Sequence, residues 1–158
     1  MEQIFWIEDN AVGGRSGPDK DPWDIVQLAD AGITAILSMN DGEGVHIARL
    51  KECGIDYAHI PLSSNAPPLQ GDVSFCLDAL PRIVEFIARH RSLGKVIVHC
   101  RSGKDRTGIA LAAYLMHSQK MSANDAYHQI KAIRDIVFTA PGWEVFSLKV
   151  LAAFEQGA

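Results

Sequence analysis

The spacing of apolar positions changes character along the chain. Val73, Cys76, Leu77, Leu80, Val84 and Ile87 recur every three or four residues, which predicts an amphipathic helix capped by Asp72 and kinked at Pro81. Val96-Ile97-Val98 is instead an unbroken apolar run, and Lys95–His99 reads as a short buried strand. Phe5–Glu8, Ala11–Gly14, Thr34–Leu37 and Ile55–Leu62 read as further strands, the last broken by Pro61. A helix starts at Asp21-Pro22, where Asp caps and Pro fits the first turn, and ends at Gly32. Val45–Glu52 reads as helix. Thr107–Ser118 is apolar nearly all round, as a central buried helix is. Ser122 caps the next helix, with an acid in its first turn, and Pro141-Gly142 precedes the last one. Gly13–Pro18, Asn40-Asp41-Gly42 and Ser63–Pro68 carry turn and loop residues.

Strands thus alternate with helices, and then helices take over. The pattern predicts an α/β domain whose central, mainly parallel sheet of four to five strands is flanked by helices. Residues 1–158 form one such domain, with no repeat or linker. Ligands of parallel sheets gather at the carboxyl ends of strands. The strand Lys95–His99 runs directly into Cys100.

Charge and cysteine usage narrow the function classes. A net charge of −4 argues against a nucleic-acid or membrane-surface binder, so any anion site is built locally against the overall field. The first residues carry no basic, long apolar leader, and the longest apolar stretch, Gly108–Met116, is too short to span a bilayer. Cys53, Cys76 and Cys100 form no closely spaced pair, which argues against a disulfide framework and a zinc knuckle and for a reducing, cytoplasmic setting. Cys53 and Cys76 read as core residues. The histidines show no ligand spacing, so neither metal nor cofactor is expected. Trp6, Trp23 and Trp143 read as core or rim.

The candidate chemistry lies in Val98-His99-Cys100-Arg101-Ser102-Gly103-Lys104-Asp105-Arg106-Thr107-Gly108. A loop curling from strand into helix turns successive backbone N–H groups inward and makes an anion cradle. Gly103 permits the tight curl, and the helix N-terminus adds unpaired donors and partial positive charge. Arg106 can grip two phosphate oxygens at once. The same field favours Cys100 as a thiolate. Arg101 and Lys104 suit a contribution to anion binding, and Ser102 supplies a backbone N–H. Their plain reading is solvated surface charge and loop filler.

The string His99-Cys100-x5-Arg106-Thr107-Gly108 resembles the signature loop of the cysteine-based protein-tyrosine phosphatases. Lys104-Asp105 before the arginine looks like a bacterial-type branch, echoed in lipid-active relatives. The Gly13-Gly14 opening and the His59-Ile60-Pro61 strand end are similar to the compact dual-specificity pattern. The resemblance implies metal-independent hydrolysis of phosphate monoesters in two steps: Cys100 takes the phosphoryl group, then water releases it. It implies that the Thr107 hydroxyl bonds the sulfur, that His99 orients the loop and that Arg106 with the loop amides holds phosphate oxygens in both steps. Relatives place the general acid after the strand that ends in His59-Ile60-Pro61, but here Ser63-Ser64-Asn65-Ala66 has no carboxylate. Asp105 is the preferred substitute, as in relatives with the same Lys-Asp pair, and Asp72 the alternative. Their plain readings are an acceptor at a helix start and a helix cap. The water-positioning glutamine that relatives carry before the last helix is also missing from Thr139-Ala140-Pro141-Gly142-Trp143. In some relatives a second cysteine traps the oxidised nucleophile, a role open in principle to Cys53 or Cys76.

The expected substrate is phosphotyrosine, and with a shallow mouth phosphoserine or phosphothreonine, in proteins. A phosphoinositide or inositol phosphate is the alternative. A pseudophosphatase that only binds phosphorylated partners is a rival reading, motivated by the missing acid, as is a sulfur- or arsenate-handling enzyme with a similar loop.

Overall fold

The computed structural model describes residues 3–157. Five strands form one sheet: β1 (Phe5–Glu8), β2 (Val12–Ser16), β3 (Ile33–Ser38), β4 (Asp56–His59) and β5 (Lys95–Cys100). Their spatial order is β1-β2-β5-β3-β4, with β1 antiparallel to β2 and every other pair parallel. The expected α/β class and mainly parallel sheet are therefore present. β5 sits at the centre, buried on both faces as its apolar run requires.

Six helices flank the sheet: α1 (Ile25–Asp30), α2 (Ile47–Glu52), α3 (Asp72–Arg91), α4 (Asp105–Gln119), α5 (Ala123–Ile133) and α6 (Trp143–Gly157). They divide the core in two. Ile4, Leu28, Ile36, Leu50 and Ile97 pack on the face covered by α1 and α2. Val96, Val98 and Cys100 pack with α3, α4, α5 and α6 on the other. Successive strand residues point to opposite faces, so the parity of β5 sends Cys100 towards α4 and His99 towards Trp23. Helix α4 is buried all round, with Ile109, Leu111 and Leu115 fully inaccessible. Each such side chain contributes roughly 1.5–3 kcal/mol by leaving water.

Several boundaries differ from expectation, each for a local reason. Gly13–Pro18 is not a loop in its first half, because β2 runs to Ser16 and pairs with β5 along its whole length. Its glycines allow close approach to β1: a Cβ at Gly13 would lie 2.7 Å from the Phe5 carbonyl oxygen. The first helix starts at Ile25, with the Asp24 carboxylate capping Gln27 N–H at 3.0 Å, rather than at Asp21-Pro22. Arg15 claims the Asp21 carbonyl and the Trp23 indole claims that of Ser16, which holds this segment outside the helix.

Strand β4 is shorter than Ile55–Leu62, and α2 starts at Ile47 behind a 3₁₀ turn at Gly42–Gly44. Helix α3 continues through Pro81, and α4 begins at Asp105, two residues before the expected start. Ser122 caps α5 as expected, accepting from Asp125 N–H at 3.1 Å. Asp72 is the first residue of α3 and turns backwards, accepting from Leu69 N–H at 2.6 Å and Asn65 Nδ2 at 3.1 Å. It ties down the preceding loop instead of capping the helix. Cys76 is a core residue, whereas Cys53, at the end of α2, is only half-buried. Trp143 is fully buried. No described helix is long and apolar enough to cross a membrane.

Candidate active site

The loop between β5 and α4 is shaped by what holds its carbonyls. His99 Nδ1–H donates to the Cys100 carbonyl at 3.1 Å, and Gly17 N–H to that of Arg101 at 3.0 Å. The Ser102 carbonyl accepts from Arg134 Nη2 at 3.2 Å and Ser16 Oγ at 3.4 Å. Gly108 N–H reaches the Lys104 carbonyl at 2.9 Å. In a planar trans peptide the N–H of the next residue points opposite to the carbonyl. Pinning these oxygens outward therefore aims the N–H groups of Ser102, Gly103 and Asp105 into the concavity of the loop. Arg101 N–H differs from the expected inward set, because it donates to Asn40 Oδ1 at 3.1 Å. Gly103 has φ +65°, and a Cβ there would lie 2.7 Å from the Arg15 carbonyl. Only glycine satisfies both demands.

Three of the expected residues stand at the two ends of this loop, Cys100 at the end of β5 and Arg106 and Thr107 in the first turn of α4. The Cys100 sulfur lies at the strand end and accepts a hydrogen bond from Thr107 Oγ1 at 3.0 Å. Thr107 is fully buried, in the first turn of α4. Arg106, half-buried, is held from behind: its Nε donates to the Ser63 carbonyl at 2.6 Å, and its guanidinium carbon lies 4.7 Å from the centre of the Trp143 ring. Trp143 is fixed in turn by its indole N–H, which donates to the Asn65 carbonyl at 2.8 Å. The two terminal guanidinium nitrogens of Arg106 take no part in these contacts and suit an oxyanion.

His99 stands on the opposite face of the sheet and is inaccessible to water. Its Nδ1–H serves Cys100, so its Nε2 accepts from the Ser38 hydroxyl, which accepts from Tyr57 Oη at 2.7 Å. Burial, the largest effect, lowers its pKa to about 4 and keeps the ring neutral. Only a neutral ring can donate at one nitrogen and accept at the other, as this chain of bonds requires.

The two candidate acids are placed differently. Asp105 is buried at the first turn of α4, and its Oδ1 accepts from Ala140 N–H at 3.3 Å. Lys104 beside it donates to Thr139 Oγ1 at 3.2 Å, so this pair joins the phosphate loop to the segment before α6. Asp72 lies across the Ser63–Gly71 loop, and the Leu69 N–H, with Asn65 and Ser63, holds its carboxyl below the usual carboxylate range. A carboxylate stabilised as an anion is a poor proton donor. No carboxylate lies on the Ser63–Ala66 segment itself.

Sequence reasoning missed the groups that brace the loop from elsewhere. Arg134 follows α5, stacks 4.7 Å from the centre of the Phe5 ring and carries a buried Nε without a partner. Its burial lowers its pKa, an effect partly opposed by the charge of Cys100. Lys20 Nζ reaches Ser102 Oγ at 3.4 Å. Asp41, in the left-handed region beside Asn40, has its pKa raised by burial and by Asp19, against the pull of Arg101. None of these residues belongs to a spaced motif: the parallel register of β2, β3 and β5 brings Lys20 and Asp41 to the end of the sheet where Cys100 lies, and Arg134 arrives from the end of α5. Among the described residues, no three His, Cys, Asp or Glu side chains are placed to hold a metal ion.

Residues 20–146 match the family model described as dual specificity phosphatase, catalytic domain. The chain is 29% identical over 140 residues to the phosphatidylglycerophosphate phosphatase PTPMT1 of Arabidopsis thaliana, which covers 82% of this chain and 39% of the relative. It is 30% identical over 146 residues to dual specificity protein phosphatase 12 of Rattus norvegicus, covering 90% and 39% respectively. The chain thus spans about two fifths of the length of these curated relatives. Among solved structures, the active form of Tk-PTP superposes with a TM-score of 0.78 at 19% identity, covering 99% of this chain and 98% of the other. PTPMT1 in complex with PI(5)P superposes with a TM-score of 0.77 at 20% identity, covering 98% and 96%.

Proposed function

We propose that this chain, which belongs to the dual specificity phosphatase catalytic-domain family, hydrolyses phosphate monoesters through a cysteinyl-phosphate, with Cys100 as nucleophile. The observation that carries the reading is the Thr107 hydroxyl donating to the Cys100 sulfur, beside an Arg106 stacked on Trp143 with its terminal nitrogens left for an oxyanion. A hydrogen bond to sulfur favours the thiolate both as it attacks and as it leaves. In the first step the thiolate attacks phosphorus, the S–P bond forms and the ester P–O bond breaks. The departing oxygen takes a proton from Asp105. In the second step water attacks phosphorus and its proton returns to Asp105. The S–P bond breaks with its electron pair on sulfur, releasing inorganic phosphate and restoring the thiolate. Arg106 and the N–H groups of Ser102, Gly103 and Asp105 stabilise the equatorial oxygens in both steps. Arg101 and Lys104 strengthen the local field, and His99 holds the Cys100 carbonyl outward.

Phosphotyrosine in proteins is the first substrate class, with phosphoserine and phosphothreonine admitted by a shallow mouth. A second reading, a lipid phosphomonoester, is favoured by relatives named as phosphatidylglycerophosphate phosphatases and by the neighbour bound to PI(5)P. The test is phosphate release from a small aryl phosphate without added metal. Wild type turns over, and Cys100→Ser loses at least about a thousandfold in kcat. Comparable turnover by Cys100→Ser would sink the proposal.

A further inference from the structure

Arg134 meets the phosphate loop from outside it, just beyond the end of α5. Its Nη2 donates to the Ser102 carbonyl at 3.2 Å, and its guanidinium lies over the Phe5 ring, 4.7 Å from the centre. Gly14 leaves room for both Phe5 and Thr107, since a Cβ there would lie 2.6 Å from Phe5 Cζ and 2.8 Å from Thr107 Cγ2. Thr107 is the donor to the Cys100 sulfur, so a short run of neighbours leads from Arg134 to the nucleophile. The residues that follow Arg134 are tied to the same loop: Thr139 accepts from Lys104 Nζ at 3.2 Å, and Ala140 N–H donates to Asp105 Oδ1 at 3.3 Å. Between them Phe138 is fully buried with φ +62°, and a Cβ at Gly108 would lie 2.7 Å from its ring. A bulky side chain keeps that conformation only where its surroundings impose it, so the segment from Arg134 to Ala140 is held in place.

Two features set Arg134 apart from an ordinary surface arginine. The first is its charge. Among the described residues no carboxylate lies within ion-pair distance of it, and its Nε is buried without a partner. Such a charge costs stability unless an anion answers it. Of the negative groups around it, Cys100 opposes the effect of burial more strongly than Asp135 or Asp21. The second feature is the peptide that Arg134 holds. The Ser102–Gly103 peptide turns over at little cost, because glycine accepts either sign of φ. Turned over, it would present the Ser102 carbonyl to a bound oxyanion in place of the Gly103 N–H. The other donor to this carbonyl, the Ser16 hydroxyl at 3.4 Å, is uncharged, so the stronger hold comes from Arg134. We infer that Arg134 is a positioning residue for the reaction: it keeps the Ser102 carbonyl outward so that the Gly103 N–H faces the phosphate, and its charge supports the anionic sulfur and phosphate held there. This rests on the phosphatase reading above and deepens it by assigning to the same site a residue from outside the loop.

The experiment measures the urea midpoint, the affinity for inorganic phosphate by calorimetry, and kcat/KM for an aryl phosphate in wild type, Arg134→Met and Arg134→Lys. Methionine keeps an apolar stem over Phe5 and removes the charge and the donors. Arg134→Met is expected to bind phosphate about tenfold more weakly, the scale of one hydrogen bond to a charged group. Its kcat/KM falls about a hundredfold, the scale of one lost oxyanion donor. Its urea midpoint stays at or above that of wild type, because a buried charge without a partner has gone. A purely structural brace would instead lower the midpoint and leave the folded fraction fully active. Arg134→Lys, which keeps the charge, stands between the other two in both affinity and kcat/KM. Unchanged affinity and kcat/KM in Arg134→Met overturn the inference, as does a loss that tracks a lowered midpoint or a lysine variant no better than methionine. If Arg134→Met does not fold, Arg134→Gln, likewise uncharged, takes its place, and an unchanged phosphate affinity there overturns the inference. If wild type hydrolyses no aryl phosphate, the phosphatase reading fails, and the phosphate affinities of the same variants still decide the role of Arg134.

Discussion

The two walls of the site are built on different principles. The phosphate loop, Cys100 to Thr107, is one continuous stretch whose outward carbonyls are held by neighbours packed beneath it. The facing wall is assembled from two distant segments, Ser63–Leu69 and Thr139–Val145, joined by the Trp143–Asn65 bond and the contact of Gly142 with Pro68. Under the proposed function, the first wall supplies what every phosphate monoester needs, namely a nucleophile, a clamp and inward amides, and the second is left to meet what the phosphate is attached to. On that proposal the chemistry is local in sequence and the selectivity is not.

Asp105 belongs to the first wall yet bonds to the second, so it offers the hardest test of this division. If it is the proton donor, Asp105→Asn lowers kcat for a tyrosine or alkyl phosphate by about a hundredfold or more, and by much less for a nitrophenyl ester whose leaving group needs no proton. Asp72→Asn leaves both within a few-fold. Equal loss on both esters for Asp105→Asn would make it a brace between the walls rather than an acid.

The next effect is on stability and concerns the underside of the first wall. His99 titrates near 4 in the folded chain because burial disfavours its charged form. Between about pH 6.5 and 4 the unfolded chain binds a proton that the folded chain refuses, so stability present at neutral pH is lost as pH falls through this window and levels off below it. One pH unit is worth about 1.4 kcal/mol, so the window amounts to about 3 kcal/mol. Urea titrations at several pH values would show this slope in wild type and a shallower one in His99→Gln, where His90, whose pKa burial also lowers, still contributes. The same slope in both would remove His99 as its source.

The smallest effect is expected in the second wall. Trp143→Phe keeps a ring under Arg106 but loses the indole bond to Asn65, and raises KM for an aryl phosphate a few-fold with kcat nearly unchanged, since the arginine's placement loosens while the nucleophile stays. A fall in kcat alone would mean that Trp143 acts on the chemical step.

The legibility of each part follows from the same contrast. Strand β5, the apolar α4 and the contiguous loop between them were readable because period and spacing act over a few residues. The strand at Ala11–Gly14 is legible, but its continuation to Ser16 is hidden by its glycines, which signal a turn until β1 and β5 press on both sides. The start of α1 was misplaced because Arg15, outside that helix, claims the Asp21 carbonyl. Arg134, Asn40, Ser38 and Tyr57 carry no readable signal, since the last two act only once β3, β4 and β5 lie side by side and the first two only once the segments after α5 and β3 reach the loop that follows β5. The pattern predicts Asp72 as the cap of α3, but it is the first helical residue and turns to the loop behind it, a preference that depends on Asn65 and Leu69 coming within reach.

The stacking of Arg106 on Trp143 also gives the protein an internal optical gauge. An indole removed from water, with a guanidinium 4.7 Å away, emits under the influence of that charge. When an oxyanion neutralises the arginine, the field across the ring changes although the ring itself touches no ligand. Titration with phosphate or vanadate should therefore register in the emission of Trp143, and occupancy of the cradle becomes readable from the unlabelled chain.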